Sequence, residues 1–308
     1  MAVGAGPVMP SAAGMLAGLV LAPLLLGVTN RVKAWFAGRH GQPLLQPYRD
    51  IARLMRKGAV YSPTTTWVFR AGPLVSVAAG IVALVLLPLG GSRALMTFSG
   101  DFMLLFYLLG TARFFVVLAA LDTGSAFEGM GASREVAFSA LAEPALLLAM
   151  AALVRATGTR SLSGAMGKVW SDVWVPSMPV AVLVASALAV VLLAENARIP
   201  FDDPNTHLEL TMIHEVMVLD HSGPDFGLVL YGSALKGWIF AGLLAGVLVP
   251  VRTGNPWLDG AVTVAGIFAV AVGVGVVESS MARLRLIRVP QLLVGAGVMA
   301  ALAVLLVR

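Results

Sequence analysis

Cysteine is absent from all 308 residues. That removes disulfides, thiolate zinc sites and thiolate ligands for iron–sulfur clusters from the chain's chemistry. If electrons move in the system it serves, another subunit carries them. Charge is scarce as well: Asp, Glu, Lys and Arg supply 12% of the residues against 58% apolar ones. An ordinary soluble domain is about a quarter charged and about half apolar, so the composition is that of an integral membrane protein. No Walker sequence, dinucleotide fingerprint or nucleophile elbow occurs, and Gly129-Met130-Gly131 makes no phosphate cradle. A chain without these is not expected to carry a catalytic residue of its own. The formal charge of +5 sits at the ends of apolar runs, which points to membrane topology and not to nucleic acid.

Eight apolar runs are long enough to cross a bilayer, near 11–29, 71–92, 102–121, 136–154, 173–194, 226–251, 260–277 and 289–307. The expected fold is therefore all-α and integral to the membrane, a single polytopic domain over 1–308. Residues 1–30 carry no charged side chain and lack the basic start of a cleavable signal, so they read as an uncleaved first span. Lysine and arginine counts set the orientation. The segment 30–70 holds eight basic residues, and its side of the membrane collects thirteen in all against six on the other. That side is predicted cytoplasmic, with both termini outside.

Two cytoplasmic segments are expected to be helical. In 44–57, Leu44, Leu45, Tyr48, Ile51, Ala52 and Met55 share one face while Arg49, Arg53, Arg56 and Lys57 lie elsewhere, the pattern of a helix in the interface plane. In 204–221, Asp203 suits an N-cap, Pro204 the first turn, and Gly223-Pro224 a stop.

This second segment belongs to the most unusual stretch of the chain. Glu195, Asp202, Asp203, Glu209, Glu215, Asp220 and Asp225 lie between two membrane-length runs, mixed with apolar residues such as Met212, Ile213 and Val216. They fit a solvated loop that balances the basic loops; they also fit a buried helix whose carboxylates have perturbed titration. His207, His214 and His221 recur every seven residues, which on a helix spreads them over about 21 Å. One metal ion cannot bridge that, and no metal site is expected. Glu143 lies within an apolar run just before Pro144, eight residues after Glu135. A carboxylate there must be protonated, paired or hydrated, and Arg113, Lys236 and Glu278 are available as counter-charges for a polar path. A structural hydrogen bond to a neighbouring helix is the alternative.

The run Ala194-Glu195-Asn196-x-Arg198-x-Pro200-Phe201-Asp202, with Ser222-Gly223 after it, resembles the signature of the respiratory complex I subunit 1 family. Gly38-Arg39, Pro43-Leu44-Leu45-Gln46-Pro47-Tyr48-Arg49-Asp50, the Glu135 and Glu143 pair, and Ala282-Arg283-Leu284-Arg285 before Gln291 extend the likeness over nearly the whole chain. Departures in the loop from Asp203 to Glu215 look like the homologous subunit of membrane-bound group 4 [NiFe]-hydrogenases, the formate hydrogenlyase and hydrogenase-4 type. The resemblance implies eight tilted helices plus an interfacial helix. It also implies docking beneath [NiFe] large and small subunits and an iron–sulfur subunit, beside antiporter-like membrane subunits, in the inner cell membrane. The nickel–iron centre and the clusters would be held by those partners, with no cofactor or metal in this chain. Glu135, Glu143, Glu195, Asp202, Asp203, Glu209, Glu215, Asp220, Lys236 and Glu278 are the expected proton path and coupling residues. Arg39, Arg49, Arg53, Arg198, Arg283 and Arg285 are the expected docking residues. The function implied is coupling of partner-subunit electron transfer to movement of protons or sodium; a quinone-site subunit of complex I type and a passive anchor are the alternatives.

Overall fold

The computed structural model describes residues 8–202, 212–250 and 252–307. Among these the elements are helices: α1 (Val8–Phe36), α2 (Gln46–Leu54), α3 (Trp67–Leu86), α4 (Asp101–Asp122), α5 (Ala126–Thr157), α6 (Leu162–Lys168), α7 (Met178–Glu195), α8 (Gly223–Leu248), α9 (Pro256–Ser280) and α10 (Val289–Leu306). All but α2 and α6 are long and apolar enough to span a bilayer, one for each of the eight runs. Several starts are written locally in the sequence. Thr66 Oγ1 accepts the Val68 N–H at 3.3 Å and Asn255 Oδ1 accepts the Trp257 N–H at 3.1 Å, each satisfying a donor that the first turn leaves free.

The central element is α8. Leu235, Trp238, Ile239, Phe240 and Leu243 on it are buried, and α1, α3, α7 and α9 pack around it. The remaining spans pair at the edges, α3 with α4 and α5 with α10. Small residues permit close approach, as is usual where apolar helices meet without water to drive them together. A Cβ on Gly275 of α9 would lie 2.8 Å from Val32 of α1. A Cβ on Gly27 would lie 2.1 Å from the Leu44 carbonyl, so only glycine lets the chain leading into α2 press against α1.

One end of the bundle collects the α1–α3 connection, the α4–α5 turn, the α7–α8 connection and the α9–α10 connection. This is the basic face defined above. The interfacial helix is there but shorter than expected, Gln46–Leu54. It lies across α1 and α8, with Tyr48 Oη donating to the Val20 carbonyl. Arg49 and Arg53 are exposed, and so are Leu44, Leu45 and Met55.

Two expectations need correction. The helix expected over 204–221 is not continuous: in its described part only Val216–Val218 forms a single 3-10 turn. The cause is Asp202, whose Oδ2 accepts the N–H groups of Ile213 at 2.9 Å and His214 at 3.3 Å. Those donors are satisfied by a side chain, and the turn at Val216–Val218 packs against α5. Asp203 and Glu209 lie outside the described residues. The fifth span begins at Met178, not near 173, because Val169–Trp174 forms a π turn after α6. That element fills the core on the far face, with Val169 and Val173 buried and Trp174 Nε1 donating to the Val247 carbonyl at 2.8 Å.

Candidate functional site

Arg113 stands on α4 in an otherwise apolar helix, with 9% of its side chain exposed. Its Nη1 donates to Glu143 Oε1 and its Nη2 to Glu195 Oε2, while its Nε lies 3.4 Å from Glu135 Oε1. Lys236 on α8 reaches the same Glu195 oxygen at 2.9 Å. Four helices, α4, α5, α7 and α8, thus converge on two cations and three carboxylates. The planar fork of an arginine suits this role, because several donors in one plane can serve several acceptors at once. Removing these charges from water is expensive, and mutual pairing is what makes their burial tolerable. The environments differ across the cluster: the Glu195 side chain is 3% exposed and that of Glu143 51% exposed. Glu143 therefore faces outward from α5, and what it meets there is lipid or a neighbouring protein. A cleft of about 20 Å³ separates Glu135 from Glu195, room for one water.

A second set of pairs lies nearer the basic face. Glu278, buried on α9, takes Lys33 of α1 at 2.8 Å and Arg198 at 3.4 Å. Asp202 takes Arg283 at 2.9 Å besides the two backbone N–H groups. Between these pairs and α2 lies a cavity of about 340 Å³. Its polar wall includes Glu195, Arg198, His214 and Lys236, and its apolar wall includes Leu25 and Ile51. His214 Nε2 is 3.3 Å from Ser233 Oγ. Burial pushes the His214 imidazole below the ordinary histidine range, against the opposing pull of Glu135 and Asp202.

Glu135, Glu143, Glu195 and Lys236 are thus brought into one cluster, while Glu278 holds two cations and Asp202 one outside it. Glu215 lines the cavity, and Asp220 lies exposed at the rim, its N–H donated to Glu128 at 3.1 Å. Among the arginines expected at a docking surface, Arg39, Arg49, Arg53 and Arg285 are exposed. Arg198 and Arg283 turn inward into their ion pairs. Arg113 is the hub, although residue types alone suggested only a counter-charge; an arginine inside a 20-residue apolar run was the available signal. Lys33 read as a topology residue, and nothing in its spacing pointed to Glu278, 245 positions away in the sequence. Among the described residues no group of three or more His, Asp or Glu side chains is placed to hold a metal ion.

The fold and the cluster define a multi-pass membrane protein with a charged network inside its helix bundle. The chain belongs to the NADH dehydrogenase family, which it matches over residues 11–308. It is 34% identical to formate hydrogenlyase subunit 4 of Escherichia coli (strain K12) over 278 residues, covering 88% of this chain and 89% of that one. It is 32% identical to hydrogenase-4 component C of the same organism, covering 75% and 72%. A chain of the membrane-bound sulfane sulfur reductase, an archaeal respiratory membrane complex, superposes with a TM-score of 0.81 at 20% identity, covering 97% of this chain and 99% of that chain. At that identity the likeness speaks for the fold.

Proposed function

We propose that this chain is the membrane subunit of a multisubunit energy-converting hydrogenase of the formate hydrogenlyase kind. In this reading it anchors the [NiFe] large and small subunits and an iron–sulfur subunit on its basic face, beside antiporter-like membrane subunits. It couples their electron transfer to proton movement, with the basic face cytoplasmic, both termini outside and the whole in the inner cell membrane. The observation that carries the reading is the Arg113 cluster, where three carboxylates share two cations inside a bundle of this family. With two cations for three carboxylates, the cluster accommodates one further positive charge, and a proton is the smallest. A change of charge in a partner seated on the basic face alters the balance of Glu195 between Arg113 and Lys236. That moves the proton affinity of Glu135 and Glu143 without any large motion of the helices.

A second reading is favoured by the cavity of about 340 Å³, within the roughly 300–1,000 Å³ usual for small-molecule sites. Its mixture of apolar wall and His214, Lys236 and Arg198 suits a quinone head group, as in a complex I type subunit. Isolation of the tagged chain from its native membrane in mild detergent, followed by mass spectrometry and metal analysis, separates the two. Copurifying nickel and cysteine-rich subunits support the hydrogenase reading. An NADH-oxidising, quinone-reducing assembly supports the second, and a chain isolated without oxidoreductase partners contradicts both.

A further inference from the structure

Toward the basic face α5 carries another carboxylate, Glu128, seven residues before Glu135. Seven residues are nearly two helical turns, so Glu128, Glu135 and Glu143 form a series along α5, with Glu128 about 10 Å nearer the face than Glu135. Glu128 is 1% exposed. Its Oε1 accepts the Asp220 N–H at 3.1 Å and the Thr123 side chain lies beside it, while among the described residues its Oε2 is buried without a hydrogen-bond partner of good geometry. Among the described residues no lysine or arginine pairs with it, in contrast to every carboxylate of the Arg113 cluster.

Two neighbouring groups share this condition. His221, the residue after Asp220, is 6% exposed, and among the described residues its Nδ1 lacks a partner; Asp225 is buried and its Oδ2 likewise lacks one. The His221 ring stacks on Phe69 of α3, centroids 4.0 Å apart and 19° from parallel, which fixes its plane. The charges around it come from every side of this corner. Asp220 precedes it, Asp225 opens α8 and Glu128 opens α5. Asp122 at the end of α4 is bound to Thr66, its Oδ2 accepting the Thr66 N–H at 2.6 Å. Arg70 of α3 lies 3.9 Å over the Tyr61 ring, whose hydroxyl faces Asp225. Unpaired polar atoms in a buried site are rare enough that each calls for a reason, and three in one corner share one most simply.

We propose that Glu128, His221 and Asp225 form a second protonatable centre, at the basic-face mouth of the α5 carboxylate series, that delivers protons to the Arg113 cluster. A proton from water adds to the His221 imidazole and gives an imidazolium beside Asp220 and Asp225. Its passage by way of water to Glu128, which holds the Asp220 N–H next to His221 in the chain, restores the neutral imidazole and leaves a neutral carboxylic acid. Onward passage by way of water to Glu135 regenerates the Glu128 carboxylate, so nothing but the proton is consumed. Burial holds the His221 imidazole below the ordinary histidine range, so it rests neutral and passes a proton on instead of retaining it.

This proposal rests on the coupling reading above, and its test separates the two. Glu128→Gln keeps an oxygen to accept the Asp220 N–H, so a merely structural role survives the substitution while titration does not. In infrared pH-difference spectra of the intact complex in lipid vesicles, a titrating carboxylic C=O band is expected. It should vanish in Glu128→Gln, titrate at altered pH in His221→Phe, and persist in Glu143→Gln. In the same vesicles Glu128→Gln should slow proton translocation about a hundredfold, the lower range for removing one positioned proton-transfer group. An unaltered band in Glu128→Gln overturns the proposal, and so does a lost band with normal translocation. A wild-type complex that moves no protons overturns the coupling reading and the delivery role together. A wild type that pumps beside an unimpaired Glu128→Gln overturns the second centre alone.

Discussion

At the residue scale the decisive side chain is Arg113, because three carboxylates depend on it and, among the described residues, only Lys236 shares the task. Arg113→Met leaves Glu195 and Glu135 enclosed with a single cation. Breaking a buried ion pair from one side costs about 3–5 kcal/mol; the bond to Glu143, half exposed, adds little to that. The variant should unfold at a markedly lower temperature in detergent, and Glu195→Gln in the same chain should recover part of the loss because the two positions are coupled. A wild-type melting temperature in Arg113→Met contradicts this. His214 offers a pH test. Its folded pKa lies below the ordinary value because the site is buried, so the unfolded chain binds the extra proton first as pH falls. Stability from this group is full above about pH 6.5 and declines as pH drops below it toward the folded value, with His221 acting in the same direction. Replacing His214 with Asn should flatten the acid limb of a stability profile; an unchanged limb shows that His214 does not carry it.

At the element scale α2 is the part most open to partners. Arg49, Arg53 and Arg56 are exposed on or just beyond it, while its inner side presses on α1 and α8 and closes the cavity. Replacing all three with Gln should leave the bundle folded, yet release the peripheral subunits at lower salt, because exposed charge attraction is screened within about 10 Å at 0.1 M. Retention of those subunits across the same salt series as wild type contradicts a docking role for α2. The elements also show what was legible in the sequence. All eight spans were, since apolar length is a local property, apart from where the fifth begins. The amphipathic α2 was legible for the same reason. The π turn at Val169–Trp174 was not, being too short to show a period and shaped by burial under α7 and α8. Nor was the fold of 212–221, where Asp202 takes the N–H groups of Ile213 and His214. Within the site, residue types announced carboxylates and counter-charges, but not which would meet. Arg113 and Glu195 are 82 positions apart, and helices apolar on most faces carry no periodic signal of their mutual rotation.

At the scale of the whole molecule, ion pairs run from the rim of the basic face to the middle of the bundle. Arg283 with Asp202 and Lys33 with Glu278 hold the loop end, and the cavity lies between them and the pairs of Glu195 with Lys236 and Arg113. Glu143, half exposed at the outer side of α5, continues the series to the edge of the bundle. A rigid helical frame with charges that can redistribute is suited to transmitting an electrostatic change. The most direct test is proton translocation by the purified complex in sealed vesicles, comparing wild type with Glu135→Gln. That substitution keeps size and hydrogen bonding but removes titration at the residue joining the cleft to Arg113. Dye-linked oxidoreductase activity should persist in the partner subunits while proton movement per electron falls sharply, and adding Glu143→Gln should change little more because both lie on one path. Undiminished proton movement in Glu135→Gln contradicts the account and leaves the network as an internal brace of a membrane anchor.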